Sequence, residues 1–181
     1  MTDDVHVAFL RGINVGGKNK LSMKDLSLMF LAAGCSDVET YIQSGNVVCK
    51  ARAAVAGKLP SAVARAVLER FGYRVPVVMR SASELRDLAR KNPFLEAGAD
   101  PDVLHVALLA DLPGAASVAA LDARRSVPDE FIVRGREIYL RLPNGVARSK
   151  LTNAYFDAKL ATTSTLRNWR TLLKLIERIE P

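Results

Sequence analysis

The residues Gly12-Ile13-Asn14-Val15-Gly16-Gly17-Lys18 have the spacing G-x-x-x-x-G-K. In nucleotide-binding loops that spacing curls backbone amides around phosphates and brings a lysine to them. Here it follows an apolar run, Val5–Leu10, and precedes a helical pattern, as such a loop must. The next position breaks the match. A hydroxyl is needed there to bind magnesium, and this chain has Asn19. The helix signal starts only at Ser22, too late for its first amides to close on the phosphates. Val103–Asp111 imitates the strand and aspartate that would hold the metal, yet hairpin signals elsewhere oppose the parallel sheet of such enzymes. The expectation is no nucleotide hydrolase. The weaker chemistry of glycine amides and cations gathered around an anion survives.

Which groups gather depends on the elements around the loop. Ser22, with Asp25 three residues on, opens a helix through Met23, Leu26, Phe30 and Ala33, stopped by Gly34. Val38–Gln43 and Asn46–Lys50 read as strands about a Ser44-Gly45 turn. Val63, Val67 and Phe71 mark a second helix ended by Gly72, and Arg74–Arg80 is a strand that Pro76 confines to an edge. This order, β-α-β-β-α-β, is the split βαβ or ferredoxin-like plan, with Val5–Leu10 and the Val47-Val48-Cys49 strand at its centre. Its crossover makes the first two strands parallel, so the first loop and the second turn leave the sheet at one end. Arg11, Asn14, Gly16, Gly17, Lys18 and Lys20 are therefore expected beside Gln43, Ser44, Gly45 and Asn46 as an anion-binding concavity. The competing account gives the glycines to turns, the lysines to solvent, and Asn14 and Asn46 to holding loop conformation.

The plan starts again further on. A helix over Ser83–Lys91 and the segment Asn92-Pro93-Phe94 connect to an apolar strand, Val103–Ala110. A helical Pro113–Arg124, a Glu130–Arg134/Glu137–Leu142 hairpin around Gly135, a helix through Leu151, Tyr155 and Ala158, and a long last helix over Leu166–Ile179 follow. The expected fold is α+β, with two ferredoxin-like subdomains, the second lacking an obvious last strand. The boundaries are 1–80 for the first subdomain, 81–102 for a helical connector and 103–181 for the second, βαββα with C-terminal helices. The repeat is one of architecture, with no sequence identity apparent between the halves. A single irregular α+β sheet is the competing arrangement.

On the last helix, Arg167, Arg170, Lys174 and Arg178 form a basic stripe beside Leu166, Trp169, Leu173 and Ile176. Exposed, it can contact phosphates along a nucleic-acid strand; otherwise it is the solvated side of an amphipathic helix, with Trp169 a core anchor. Base stacking on the sheet face needs aromatics on the central strands, and the first offers only Phe9. Catalytic groups are sparse. His6 and His105 sit inside strands without Cys/His ligand spacing, so neither metal nor cofactor is expected. Ser149 and Lys150 are adjacent and diverge on any regular element, and Ser44 lacks the flanks of a nucleophile elbow. Cys35 and Cys49 read as small buried groups.

Composition agrees with a folded chain. Its 181 residues are 49% hydrophobic and 25% charged, which excludes wholesale disorder. The net charge of +7 is concentrated in residues 1–80 and 146–181, while 81–145 is slightly acidic. That distribution favours anionic partners, with solubility alone as the alternative. Two cysteines, no signal pattern and no apolar run near ~20 residues suggest a soluble cytoplasmic protein that does not enter a membrane.

Four segments resemble the signature of the bacterial domain of unknown function 1697 family: Leu10–Lys18, Tyr41–Val48, Asn92-Pro93-Phe94, and Arg167-Asn168-Trp169 followed by Thr171. Cys49 stands where that family has Phe, and Leu166 where it has Thr or Met. The resemblance implies an α+β fold of two subdomains and no established reaction. Three functional readings follow. The first is a protein that binds a phosphorylated small molecule or nucleic acid at the first loop. The second is an enzyme on a phosphorylated substrate, with Arg11 and Lys18 on the anion and Ser44 or Asn46 polarising the reacting group. The third is an interaction module without a ligand.

Overall fold

The computed structural model of the chain describes residues 3–179. The chain divides into two units, one of Met1–Arg86 with Leu175–Pro181 and the other of Asp87–Lys174.

The first unit contains β1 (Asp4–Leu10), α1 (Met23–Ala32), β2 (Ser36–Tyr41), β3 (Asn46–Ala51), α2 (Ala53–Ala56), α3 (Leu59–Phe71) and β4 (Val77–Ser81). Its sheet order is β2-β3-β1-β4 with every pairing antiparallel, so the two least polar strands are central as expected. Period-two alternation turns Ala8 and Leu10 of β1 and Val47, Cys49 and Ala51 of β3 toward Leu26, Phe30, Leu59, Val63 and Val67. Ser22 caps α1 by accepting from the Asp25 amide at 3.0 Å and donating to its carboxylate at 2.6 Å. Edge strand β4 starts after Pro76, whose missing N–H costs the ladder nothing and whose carbonyl accepts from the Arg11 amide at 3.0 Å. The connection from β2 to β3 is longer than a two-residue turn: Tyr41 pairs with Asn46, leaving Ile42 to Gly45 as the loop.

The chain enters the second unit within α4 (Ala82–Arg90), continues through α5 (Pro93–Glu96), β5 (Leu104–Leu109), α6 (Ala115–Ala119), β6 (Glu130–Arg134), β7 (Glu137–Arg141), α7 (Asn153–Leu160) and β8 (Ser164–Asn168), and leaves it within α8 (Trp169–Ile179), after Lys174. The sheet order β6-β7-β5-β8 repeats that of the first unit. The second unit therefore has its last strand. It occupies what helical spacing assigns to the head of the final helix, because Ser164–Asn168 pairs along β5 and Asn168 ends the strand by accepting from the Arg170 amide at 2.9 Å. The helical segment expected over Pro113–Arg124 shrinks to the five residues of α6.

Equating the two sheets strand by strand also corrects the expectation that the halves share no sequence. His6 pairs with Ser81 just before α4, and His105 pairs with Asn168 just before α8. In that register His6-Val7-Ala8 and Leu10 of β1 coincide with His105-Val106-Ala107 and Leu109 of β5. Arg80 of β4 coincides with Arg167 of β8, and both arginines are buried.

Candidate functional site

Asn14 organises the first loop. Its amide nitrogen donates to the carbonyls of Leu21 (2.9 Å) and Gln43 (3.1 Å), and its oxygen accepts from the Leu21 amide at 2.9 Å. One side chain thus fastens both ends of the loop to the β2–β3 connection. Its φ of 55° is left-handed, which asparagine tolerates better than most residues. Between those anchors Gly16 and Gly17, at φ 57° and 75°, make the type I′ turn closed by the Lys18 amide on the Val15 carbonyl at 3.0 Å. Asn19 completes the loop by donating to the Gly12 carbonyl at 2.9 Å, and the Tyr73 hydroxyl clips its exit, its one hydrogen shared between the carbonyls of Asn19 (3.0 Å) and Lys20 (3.1 Å).

The β2–β3 connection lies directly on the end of β1. The Leu10 amide donates to the Gly45 carbonyl at 2.8 Å. A Cβ on Gly45 would stand 2.8 Å from the Leu10 Cβ and 3.1 Å from the Leu10 carbonyl oxygen, at a φ of +78°. Gly45→Ala is accordingly expected to cost about 2 kcal/mol, from backbone strain and forced separation of the two segments. Urea unfolding checks this as a lowered midpoint with an unchanged slope.

These ties leave a cleft of about 540 Å³ lined by Asn14, Gly17, Lys20, Leu21, Ser22, Met23 and Gln43. Of the residues expected at the concavity, Asn14, Gly17, Lys20 and Gln43 are on its wall. Arg11, Gly16, Lys18, Ser44, Gly45 and Asn46 are not. The buried Asn46 instead donates to Ser44 Oγ at 2.8 Å and to the Tyr41 carbonyl at 3.3 Å, a loop-holding role. Leu21, Ser22 and Met23 were missed by sequence reasoning. The Ser22/Asp25 capping signal marked the start of α1 but not that this start faces the loop. Asp25, the carboxylate nearest that wall in sequence, is engaged by Ser22 and by Arg70 at 2.6 Å. Lys20 is exposed at the cleft without such a carboxylate beside it in sequence.

Arg167 drops out of the expected C-terminal basic stripe, while Arg170, Lys174 and Arg178 are exposed on α8. Arg167 belongs to β8 rather than the helix and is buried, donating to Thr165 Oγ1 (2.8 Å) and the Leu166 carbonyl (3.0 Å). Burial pushes its guanidinium down to about 10. Arg170 pairs with Asp102, which raises the arginine and holds the carboxyl below its ordinary value. Arg178 pairs with Glu39 and lies over the Tyr41 ring, 4.8 Å from its centre. The indole of Trp169 is wholly buried, 6.4 Å from the Tyr139 ring.

The remaining candidates are not on the cleft wall. Burial lowers His105 below an ordinary imidazole, with the Val103 carbonyl opposing weakly. His6 lies on β1 with Nε2 buried and unbonded. Ser149 Oγ accepts from the Leu151 amide at 3.0 Å. Cys35 and Cys49 are free and buried; burial raises both thiols, and in Cys49 the neighbouring Cys35 adds to the rise. Among the described residues no group of three or more His, Cys, Asp or Glu side chains is arranged to hold a metal ion. No helix among them is long and apolar enough to cross a membrane.

Two split-βαβ units in one chain, the first carrying a loop-walled cleft, define an α+β protein of repeated architecture. The chain belongs to the family described as Protein of unknown function (DUF1697), whose model matches residues 4–139. In fold it is similar to the conserved bacterial protein SP0830 from Streptococcus pneumoniae, with a TM-score of 0.72 and 19% identity over 98% of this chain and 99% of that one. No curated protein matches it significantly.

Proposed function

We propose that the protein binds an anionic ligand, a phosphorylated small molecule, in the cleft between the first loop and the β2–β3 connection. The observation that carries this reading is the exposed Lys20 on the wall of a 540 Å³ cleft together with Gly17, Gln43 and the capped start of α1. A lysine supplies a point charge for phosphate, and backbone amides at a glycine turn and a helix start favour negative charge. The cleft falls within the range of small-molecule sites. The C-terminal arginines support a nucleic-acid partner poorly, because Arg167 is buried and Arg170 and Arg178 are paired with carboxylates. The reading includes a cytoplasmic location, with which two free buried thiols accord.

Titration calorimetry with inorganic phosphate at low ionic strength tests the reading. Lys20→Ala is expected to weaken binding on the order of 10-fold, the loss of one charge-assisted contact, with the melting temperature unchanged. Equal binding by both proteins, or none by either, contradicts it.

A further inference from the structure

We infer that the first unit holds a second ligand site, on the other face of its sheet, for a monocarboxylic acid with an apolar chain. Arg86 takes the carboxylate, and Val5, Val48 and Ile179 take the chain. No wall residue is shared with the cleft at the first loop, and the inference does not depend on phosphate binding there.

The strand register builds this site. Ala8 and Leu10 of β1, with Val47, Cys49 and Ala51 of β3, face the core under α1 and α3. Period-two alternation therefore turns Val5 of β1, and Val48 and Lys50 of β3, to the opposite face. Val5 pairs with Lys50, Glu39 of β2 pairs with Val48, and cross-strand partners share a face. There, with Asp37, Arg86 of α4 and Arg178 and Ile179 of α8, they line a cleft of about 520 Å³. All these residues belong to the first unit, and the volume suits a small molecule.

The charges on the wall select the ligand. Lys50 is paired with Asp37 at 2.7 Å, and Arg178 is paired with Glu39 and lies over the Tyr41 ring. Arg86 is half-buried, and it alone of these three cations has no ion-pair or hydrogen-bond partner among the described residues. Three cations against two carboxylates leave one positive charge, which fits a monoanion and disfavours a dianion such as phosphate. The planar guanidinium fork offers a carboxylate two parallel N–H donors. Val5, Val48 and Ile179 present only hydrocarbon side chains to the same cleft, a seat for an apolar chain.

The probes are octanoate, acetate and octylammonium, titrated into the full chain and followed in nitrogen–proton correlation spectra. Octanoate is expected to bind saturably and to move the amides of Val5, Lys50 and Arg86. Each fully buried methylene strengthens binding about 4-fold, so half-burying the six that acetate lacks corresponds to roughly 60-fold. A preference for octanoate over acetate of roughly 10-fold or more is the expected result. Octylammonium, with the same chain and the opposite charge, should leave these amides unmoved at concentrations where octanoate saturates. Arg86→Gln keeps a good helix former but removes the charge; it is expected to weaken octanoate by roughly 10-fold or more, with the melting temperature within about 2 °C of wild type. Octylammonium binding as tightly as octanoate would make the cleft a mere apolar surface and overturns the inference. So does octanoate binding that is absent, no tighter than acetate, confined to other amides, or undiminished in Arg86→Gln. The three wild-type titrations decide the matter even if that variant fails to fold. None of these outcomes bears on phosphate at the first loop, which Lys20→Ala tests separately.

Discussion

Replacing Asn14 with alanine should destabilise the first unit by about 3–4 kcal/mol and abolish phosphate binding. Three hydrogen bonds disappear together, two donated to the Leu21 and Gln43 carbonyls and one accepted from the Leu21 amide. At about 1 kcal/mol each they account for most of the effect, and placing a Cβ without a compensating polar group at φ 55° adds about 1 kcal/mol. Asn14→Gly separates the two contributions, since glycine accepts the backbone conformation but makes none of the bonds. It is expected to cost about 1 kcal/mol less than alanine in urea unfolding, while losing phosphate binding equally. If Asn14→Ala unfolds like wild type, the loop is not held by this side chain and the cleft is not preformed.

The second large effect lies in the other unit. Trp169→Ala removes a wholly buried side chain at the start of α8 and is expected to cost about 4 kcal/mol, a fall of roughly 8–16 °C in melting temperature. Trp169→Phe keeps the ring packing near Tyr139 and should cost far less. The indole nitrogen has no hydrogen-bond partner, so removing it leaves no polar group newly stranded. Neither variant touches the cleft, and the folded Phe variant should bind phosphate as the wild type does. Differential scanning calorimetry with parallel titrations checks both points. A mild Trp169→Ala phenotype would mean that the indole is not the anchor its burial indicates.

Much of this fold is legible in the residues because local and global signals agree. Val5–Leu10 is apolar throughout since β1 is central, and Pro76 marks an edge because only there is a missing N–H harmless. Where two patterns overlap, the weaker signal is hidden. Leu166, Trp169 and Leu173 keep helical spacing across a strand–helix junction, so β8 is masked until its pairing with β5 is known. The shared His-Val-Ala of the two first strands becomes meaningful only when the registers are equated.

The candidate site divides in the same way. Topology brings the first loop and the β2–β3 connection to one end of the sheet, and Asn14 bonded to Gln43 realises that juxtaposition. Residue type alone does not say which polar groups face a ligand. Asn14 and Asn46 spend their amides on the loops themselves, whereas Leu21, Ser22 and Met23 reach the wall because the loop folds back onto α1.

The most direct measurement of the central claim is a nitrogen–proton correlation spectrum of the full chain during titration with inorganic phosphate at low ionic strength. Saturable shifts at the amides of Gly17, Lys20, Ser22 and Gln43, absent in Lys20→Ala, are the predicted result. Shifts that fail to saturate, or that map to α8 and leave the cleft amides unmoved, would contradict it.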